Sequence, residues 1–446
     1  MTPRTPRAQL GLGAVAWIVI VALVAAAAGG LYYAARRRAA GPTQRQLGGT
    51  VSVLGVWGGS ELESFRAMLK PFEEATGVTV EFEGTRDLGA VLTTRIQGGN
   101  PPDVVGLTGP GQMAESARAG RLTPLDDVVD LEAMKEQYAS SWLELGTVDG
   151  KLYGIFVKAA LKGLIWYNPK AFQAAGYQIP KTWDEMMALT ERIAAEGKTP
   201  WCVGLESGSA SGWPATDWIE DIVLRTAGPG AYDQWYRHEV AWTDPPIRNA
   251  WEQFGRIAAN PKYVYGGRQG VLATNFGESP FPLFTDPPGC FLHHQATFIQ
   301  DFIQKQYPNL KPGEDFDFFA FPQMEPSLPS AVEGAGDLFV MFNDTPQARA
   351  LMKYLTTPEA QAIWVKRGAA LSANRKVSLD DYPDVLSRRA AEILTAADVA
   401  RFDASDLMPE AVNAAFWKGT LDYVQNPGRL EEILGNIERV AQEAYR

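Results

Sequence analysis

From Thr50 onward the apolar positions switch between two periods. Residues 50–56 (TVSVLGV) form a short apolar run that predicts a strand, ending at Trp57-Gly58-Gly59. Phe65, Met68, Leu69 and Phe72 then fall at i, i+3, i+4 and i+7, the spacing of an amphipathic helix, with Gly77 placed as its C-cap. Residues 78–82 (VTVEF) predict a second strand. Val91, Leu92 and Ile96 predict a second helix that stops at Gly98-Gly99-Asn100-Pro101-Pro102, and residues 103–107 (DVVGL) predict a third strand. Strands and helices in alternation predict a parallel sheet and the α/β class.

The alternation continues downstream. Strands are expected at 161–167, 201–205, 291–295 and 338–342, and helices at 169–175, 182–195, 213–226 and 247–259. Thr182 is the N-cap of its helix and Glu185 completes a capping box. From Pro346 the pattern is mostly helical, at 346–355, 358–366, 385–394, 410–424 and 430–444. Residues 266–329 are rich in Pro, Gly and aromatics and carry no clear period.

One segment stands outside this pattern. Residues 10–35 hold 26 residues without a charge, behind a basic region at 1–9 with Arg4 and Arg7. As a helix the run would extend roughly 39 Å, enough to cross a hydrocarbon core of about 30 Å. A cleaved signal peptide would use the small residues Ala25–Ala28. An uncleaved anchor would place Trp17 and Tyr32-Tyr33 near the interfaces, and Arg36–Arg38 follow directly. Both readings stay open, and both put the body outside the cytoplasm, in the periplasm or at the cell surface. Residues 36–49 read as a linker.

Length and charge narrow the field. A chain of 446 residues exceeds one ordinary core, so two lobes are expected. With the six Arg of residues 1–49 set aside, 35 basic face 52 acidic residues, a balance of −17. So acidic a body, without a basic stripe, argues against nucleic-acid binding. Two Cys and three His leave little room for a metal site, and no HExxH, GxSxG or Walker sequence occurs. No metal and no cofactor are expected.

The order of motifs resembles the extracellular solute-binding proteins of carbohydrate ABC importers. The stretch SFRAMLKPFEEATGVTVEF after Glu61, the step Gly98 to Val105 (GGNPPDVV), Tyr153-Gly154-Ile155-Phe156 followed by Gly163 to Asn168 (GLIWYN), and Pro180 to Glu185 (PKTWDE) are similar to that family's opening, G-x-x-P-D step, crossover and P-x-T-W-x-E helix start. The stretches WCVGLESGSASGWPATDWIEDIVL from Trp201 and CFLHHQ from Cys290 resemble the α-glucoside-binding branch. The resemblance implies a two-lobe periplasmic-binding-protein-like fold of type II, with a ligand cleft between lobes joined by hinge crossovers. On the family's chain order, lobe 1 is 50–158 plus 322–366 and lobe 2 is 162–318 plus 370–446. It also implies an oligosaccharide ligand, ABC permease subunits as partners, a monomer, and no catalysis. Membrane contact is expected through the N-terminal segment if that segment is uncleaved.

A sugar presents apolar C–H faces and a ring of hydroxyls, so its site needs aromatic platforms and hydrogen-bonding groups. In open α/β sheets the ligand sits beyond the carboxyl ends of strands. The loops after the first and third predicted strands offer Trp57, Glu61, Thr108 and Gln112, and Arg86 follows the second. An ion pair with Glu83 is the competing role for Arg86. Lys158 and Lys162 flank the crossover. Trp213 and Asp217 lie one helical turn apart and can face one cleft. Of His293-His294-Gln295 only alternate residues share a strand face, so His294 or Gln295 is a candidate. Gly336 and Asp337, within a glycine-flanked turn-like stretch, and Trp364, Arg375 and Trp417 complete the candidates. Cys202 and Cys290, an even count in an oxidising compartment, are expected to pair, the competing reading being two separate buried thiols.

Other readings remain at this level. A secreted glycosidase needs two carboxylates across a cleft, and no local motif selects such a pair. A binding protein for a polyamine or a glycerophosphodiester, or an anchored sensor, would share much of the same pattern.

Overall fold

The computed structural model describes residues 47–396 and 399–446. The expectations for the basic region, the apolar run and most of the linker lie outside the described residues. Among the described residues no helix is long and apolar enough to cross a membrane.

Residues 48–446 pack as one unit built around two sheets. The first holds β1 (Thr50–Gly55), β2 (Thr79–Gly84), β3 (Val104–Leu107), β6 (Gly154–Leu161), β11 (Ala331–Met341) and β12 (Val399–Phe402). A small hairpin of β4 (Thr147–Val148) and β5 (Lys151–Leu152) precedes β6. β1 pairs in parallel with both β2 and β3, as the alternation predicts. β11 returns antiparallel beside β3 at Leu338–Met341. Along its other edge β11 pairs antiparallel with β6, from Gly334 to Val340. β12 pairs in parallel with residues 331–334 of β11, so a stretch from within 370–446 re-enters the first sheet.

The second sheet has the order β10 (Asp317–Ala320), β7 (Leu164–Tyr167), β9 (Leu292–His294), β8 (Trp201–Cys202). Only β8 and β9 pair in parallel. Cys202 and Cys290 are disulfide-bonded, with Cα atoms 5.6 Å apart, and tie the end of β8 to the chain entering β9.

The helix Gly59–Thr76 buries Phe65, Met68, Leu69 and Phe72 against the first sheet and ends at Gly77, whose φ of 69° and N–H to the Glu73 carbonyl close the last turn. Helix Trp183–Ala195 starts at Thr182, whose hydroxyl accepts from the Glu185 amide. The core of the second sheet is aromatic: Trp201, Trp218, Trp235, Trp242 and Trp251 are all buried in it. Nine of the thirteen Trp of the chain are buried, so most of them serve packing. Helices Glu410–Gln425 and Leu430–Ala444 complete this core through Val412, Phe416, Ile433 and Ile437.

Two expected assignments change. Residues 154–161 form a fully buried strand through Lys158, although only 161–167 carries the sequence pattern. Residues 333–337, read as a turn, lie inside β11. Gly334 and Gly336 weaken the local strand signal, yet a Cβ on Gly336 would crowd the Lys158 carbonyl at 2.8 Å and Phe156 at 2.9 Å. The stretch without clear period holds helices Gly267–Ala273 and Ile299–Gln306, the expected strand at β9, and β10, which was not expected.

Candidate functional site

A cavity of about 370 Å³ lies between the loops of the first sheet and the helices of the second core. Its first wall comes from the loops after β1, β2 and β3 together with β6 and β11: Trp57, Glu61, Arg86, Thr108, Gln112, Lys158, Gly336 and Asp337. The opposite wall comes from Ser207, Trp213, Asp217, Phe276, Phe298, Asn413 and Trp417. Close backbone approach brings the walls together. A Cβ at Gly109 would overlap the Asp406 carbonyl, and one at Gly111 the Met408 carbonyl. Polar contacts bridge the mouth: the Gln112 side-chain amide donates to Glu410 (2.9 Å) and the Ser209 hydroxyl to the Arg86 carbonyl (3.1 Å).

Trp57 forms the floor. It is 3% exposed, packs edge-on against Trp364 at 4.6 Å, and donates its indole N–H to Asp337 at 3.3 Å. Trp213 is half-buried and leans on Phe276 and Phe298 at 5.2 and 5.9 Å.

Two lysines organise the charges. Lys158 Nζ lies 2.5 Å from Glu61 and 3.7 Å from Asp337, and Arg86 adds a second cation 3.7 Å from Glu61. Burial works to raise the Glu61 pKa, but Lys158 and Arg86 outweigh it and hold the carboxyl below its ordinary value. Asp337 is pushed up by burial despite Lys158. Lys162 contacts Asp217 at 2.8 Å and also Asp403. Burial raises Asp217 to about 7 against the pull of Lys162. Asp403 is held below its ordinary value by Lys162, the Asp406 amide and the Ser405 hydroxyl, which together exceed its burial penalty.

Three lining polar atoms are buried and have no partner: Ser207 Oγ, Asn413 Oδ1 and Trp417 Nε1. Such groups are costly unless something hydrogen-bonds them. They are two acceptors, one also a donor, and one donor, which is the inventory a hydroxylated ligand satisfies.

The structure brings twelve of the expected residues to this cavity: Trp57, Glu61, Arg86, Thr108, Gln112, Lys158, Lys162, Trp213, Asp217, Gly336, Asp337 and Trp417. Four lie elsewhere. The ring of His294 hydrogen-bonds Asp221 at 2.8 Å and packs on Trp218 at 4.4 Å, so its strand face points into the core. Gln295 is buried, its side chain accepting from the next amide. Trp364 is a layer behind Trp57. Arg375 is exposed and bonds the Tyr138 carbonyl and, by its amide, the Gln137 carbonyl (2.8 Å). Arg86 also departs from the expected surface pair, since Glu83 bonds Arg95 instead.

The sequence reading missed Phe276, Phe298, Ser207, Asp403, Asp406, Glu410 and Asn413 among the lining residues. Glu410, Asn413 and Trp417 fall at i, i+3 and i+7 of one helix, a face that was open to reading. Phe276 and Phe298 come from the stretch without period, where no signal existed.

Known proteins resemble this chain in sequence and in fold. The profile of the family described as bacterial extracellular solute-binding protein matches residues 58–362. The chain is 45% identical over 390 residues to the osmoprotective compounds-binding protein GgtB of Synechocystis sp., covering 87% of this chain and 91% of that one. It is 42% identical over 388 residues to the alpha-glucosides-binding periplasmic protein AglE of Rhizobium meliloti, covering 84% of each. Among solved structures, a chitin oligosaccharide binding protein superposes with a TM-score of 0.77 at 21% identity, over 89% of this chain and 98% of that one. The solute-binding protein RafE in complex with raffinose gives 0.70 at 21% identity, over 89% and 100%.

The chain belongs to the bacterial extracellular solute-binding proteins. Its fold is the two-lobed α/β binding-protein fold expected from the sequence. As a member of that family it works as a solute-binding protein outside the cytoplasm.

Proposed function

We propose that the cavity captures a small neutral α-glucoside of about disaccharide size, by binding without turnover. The observation that carries this is the set of unpartnered Ser207 Oγ, Asn413 Oδ1 and Trp417 Nε1 beside the Trp213 face. Hydroxyls answer the polar atoms, and a pyranose C–H face answers the indole. A volume of 370 Å³ sits near the small end of ligand sites, roughly 300–1,000 Å³, and favours one or two sugar rings over a longer chain. The names of GgtB and AglE point to the same chemistry, a compact osmolyte or α-glucoside.

In this reading lobe 1 is 50–158 plus 322–366 and lobe 2 is 162–318 plus 370–446, with β12 reaching across into the first sheet. Trp57, Glu61, Arg86, Lys158 and Asp337 present hydrogen bonds from lobe 1. Trp213, Asp217, Asn413 and Trp417 supply the stacking face and hydrogen bonds from lobe 2. The sugar stabilises the closed lobes by its greater affinity for them, and the bridges at Gln112 and Arg86 form on closure. Glu61 is neutralised by Lys158 and Arg86, which suits a hydrogen-bond acceptor better than a glycosidase nucleophile.

A second reading has its own observation. Asp217, Asp337, Asp403, Asp406, Glu61 and Glu410 outnumber Arg86, Lys158 and Lys162 around the cavity, which favours a cationic ligand such as a polyamine. Calorimetry of the purified chain with maltose, trehalose, sucrose, a longer maltooligosaccharide and spermidine separates the two. A disaccharide that binds and is recovered intact upholds capture of a glucoside. Its hydrolysis, or binding of spermidine alone, overturns that reading.

A further inference from the structure

Behind the Lys162 wall three carboxylates converge from three separate elements. Glu220 belongs to the helix Trp213–Thr226, Glu333 to β11, and Asp403 follows β12. One oxygen from each lies within 4.8 Å of the others. Glu220 and Glu333 are 0% exposed and Asp403 is 1% exposed. Glu220 accepts from the Ala404 amide at 2.8 Å, and Asp403 from the Ser405 hydroxyl at 2.7 Å. Glu333 is different: neither of its carboxyl oxygens has a partner.

Among the described residues no cation nearby is free to serve it. Lys162 is taken by Asp217 and Asp403, and Arg225 by Asp221 and the Ala331 carbonyl. The same region also places the half-buried Asp406 beside the cavity. Carboxyls therefore exceed cations around two fully buried glutamates, a balance that is unfavourable unless a further positive charge or protons enter.

We propose that Glu220, Glu333 and Asp403 hold one hard divalent cation of the calcium type. All three donors are oxygens, which exclude soft-metal preference. Calcium accepts oxygens at about 2.3–2.6 Å, so its ligand oxygens stand at most roughly 4.6–5.2 Å apart, and three oxygens all within 4.8 Å of one another fall inside that limit. Magnesium demands a tighter octahedron and usually keeps several waters, for which two fully buried glutamates leave less room. The ion would tie a helix of the second core to β11 and to the chain leaving β12, where the two sheets meet. It adjoins the sugar cavity without coinciding with it, because Asp403 lines that cavity while Glu220 and Glu333 do not.

The test starts with the metal content of the purified full chain by mass spectrometry. Thermal unfolding then follows after stripping with EGTA and after adding back CaCl2 or MgCl2. The expected result is about one calcium per chain and a rise in melting temperature of about 3–5 °C with saturating CaCl2. Glu333→Gln should lose both the calcium and the response while keeping its far-ultraviolet circular dichroism. A wild-type chain with little calcium and a melt indifferent to CaCl2 overturns the proposal, and this measurement stands even if the variant does not fold. An equal shift from MgCl2 that persists in Glu333→Gln also overturns it, because it marks general surface binding. So does a stripped Glu333→Gln that melts higher than stripped wild type while neither binds calcium, which marks a protonated buried acid.

Discussion

Lys158→Met asks whether the floor of the cavity is a balanced ion cluster. Methionine keeps an unbranched apolar stem against Trp57, Trp364 and Phe298, whose ring centroids lie 5.3–6.0 Å from the ammonium. It removes the charge 2.5 Å from Glu61 and 3.7 Å from Asp337. Stranding one partner of a buried pair costs about 3–5 kcal/mol. Two features pull toward the lower end. Arg86 still lies 3.7 Å from Glu61, and Asp337, already pushed up by burial, can take a proton. The expected loss is about 3 kcal/mol. In the double variant Lys158→Met, Glu61→Gln the stranded charge is gone, so about half of that loss or more should return, a coupling well above the additive limit. The assay is urea unfolding of the ligand-free protein by Trp fluorescence, comparing midpoints at unchanged slope. A single-variant loss under about 1 kcal/mol, or simple additivity in the double variant, refutes the reasoning.

Three further outcomes are expected. Trp417→Phe keeps an aromatic face but removes the unpartnered donor, so affinity for the sugar should fall about two- to tenfold, read by calorimetry; unchanged affinity removes Trp417 Nε1 from the site. Replacing Cys202 and Cys290 together by alanine opens a link spanning 88 positions and should cost roughly 4–5 kcal/mol in denaturant unfolding, while a neutral result would deny the bond a stabilising role. Asp301, raised to about 6 mainly by burial and by nearby Glu61, favours folding when protonated. Its contribution is therefore full below about pH 4, the unfolded value, and is lost as pH rises through about 6. Asp301→Asn should flatten the fall in melting temperature between pH 5 and pH 7, and identical slopes would show that Asp301 does not titrate there.

The first strands and helices were legible because each buries one face. Phe65, Met68, Leu69 and Phe72 write a helical stripe, and 79–84 keeps its alternation at a sheet edge. β6 was not legible. All eight residues are buried, so alternation vanishes, and the charge at Lys158 reads as a surface position. Its partner Glu61 is 97 positions away, and nothing local announces the pair. His294 shows the same limit. Strand alternation separates it from its neighbours, but only the fold decides that its face meets Asp221 and Trp218. Glycine pairs that close onto another backbone, as at Gly334 and Gly336, look identical to turns until the neighbouring strand is in place.

The position of β11 in the first sheet bears on when this protein can fold. β1, β2 and β3 are synthesised early, but the partner of β3 is at Leu338–Met341 and that of residues 331–334 is at 399–402. The sheet cannot close until Phe402 has been made, with 44 of 446 residues still to come. The second core also waits for the helices Glu410–Gln425 and Leu430–Ala444. Pairing across such separations is slow. The native body is therefore complete only after nearly all of the chain has been made, and its slow long-range pairings leave an interval in which the chain is still unfolded enough to be threaded across a membrane.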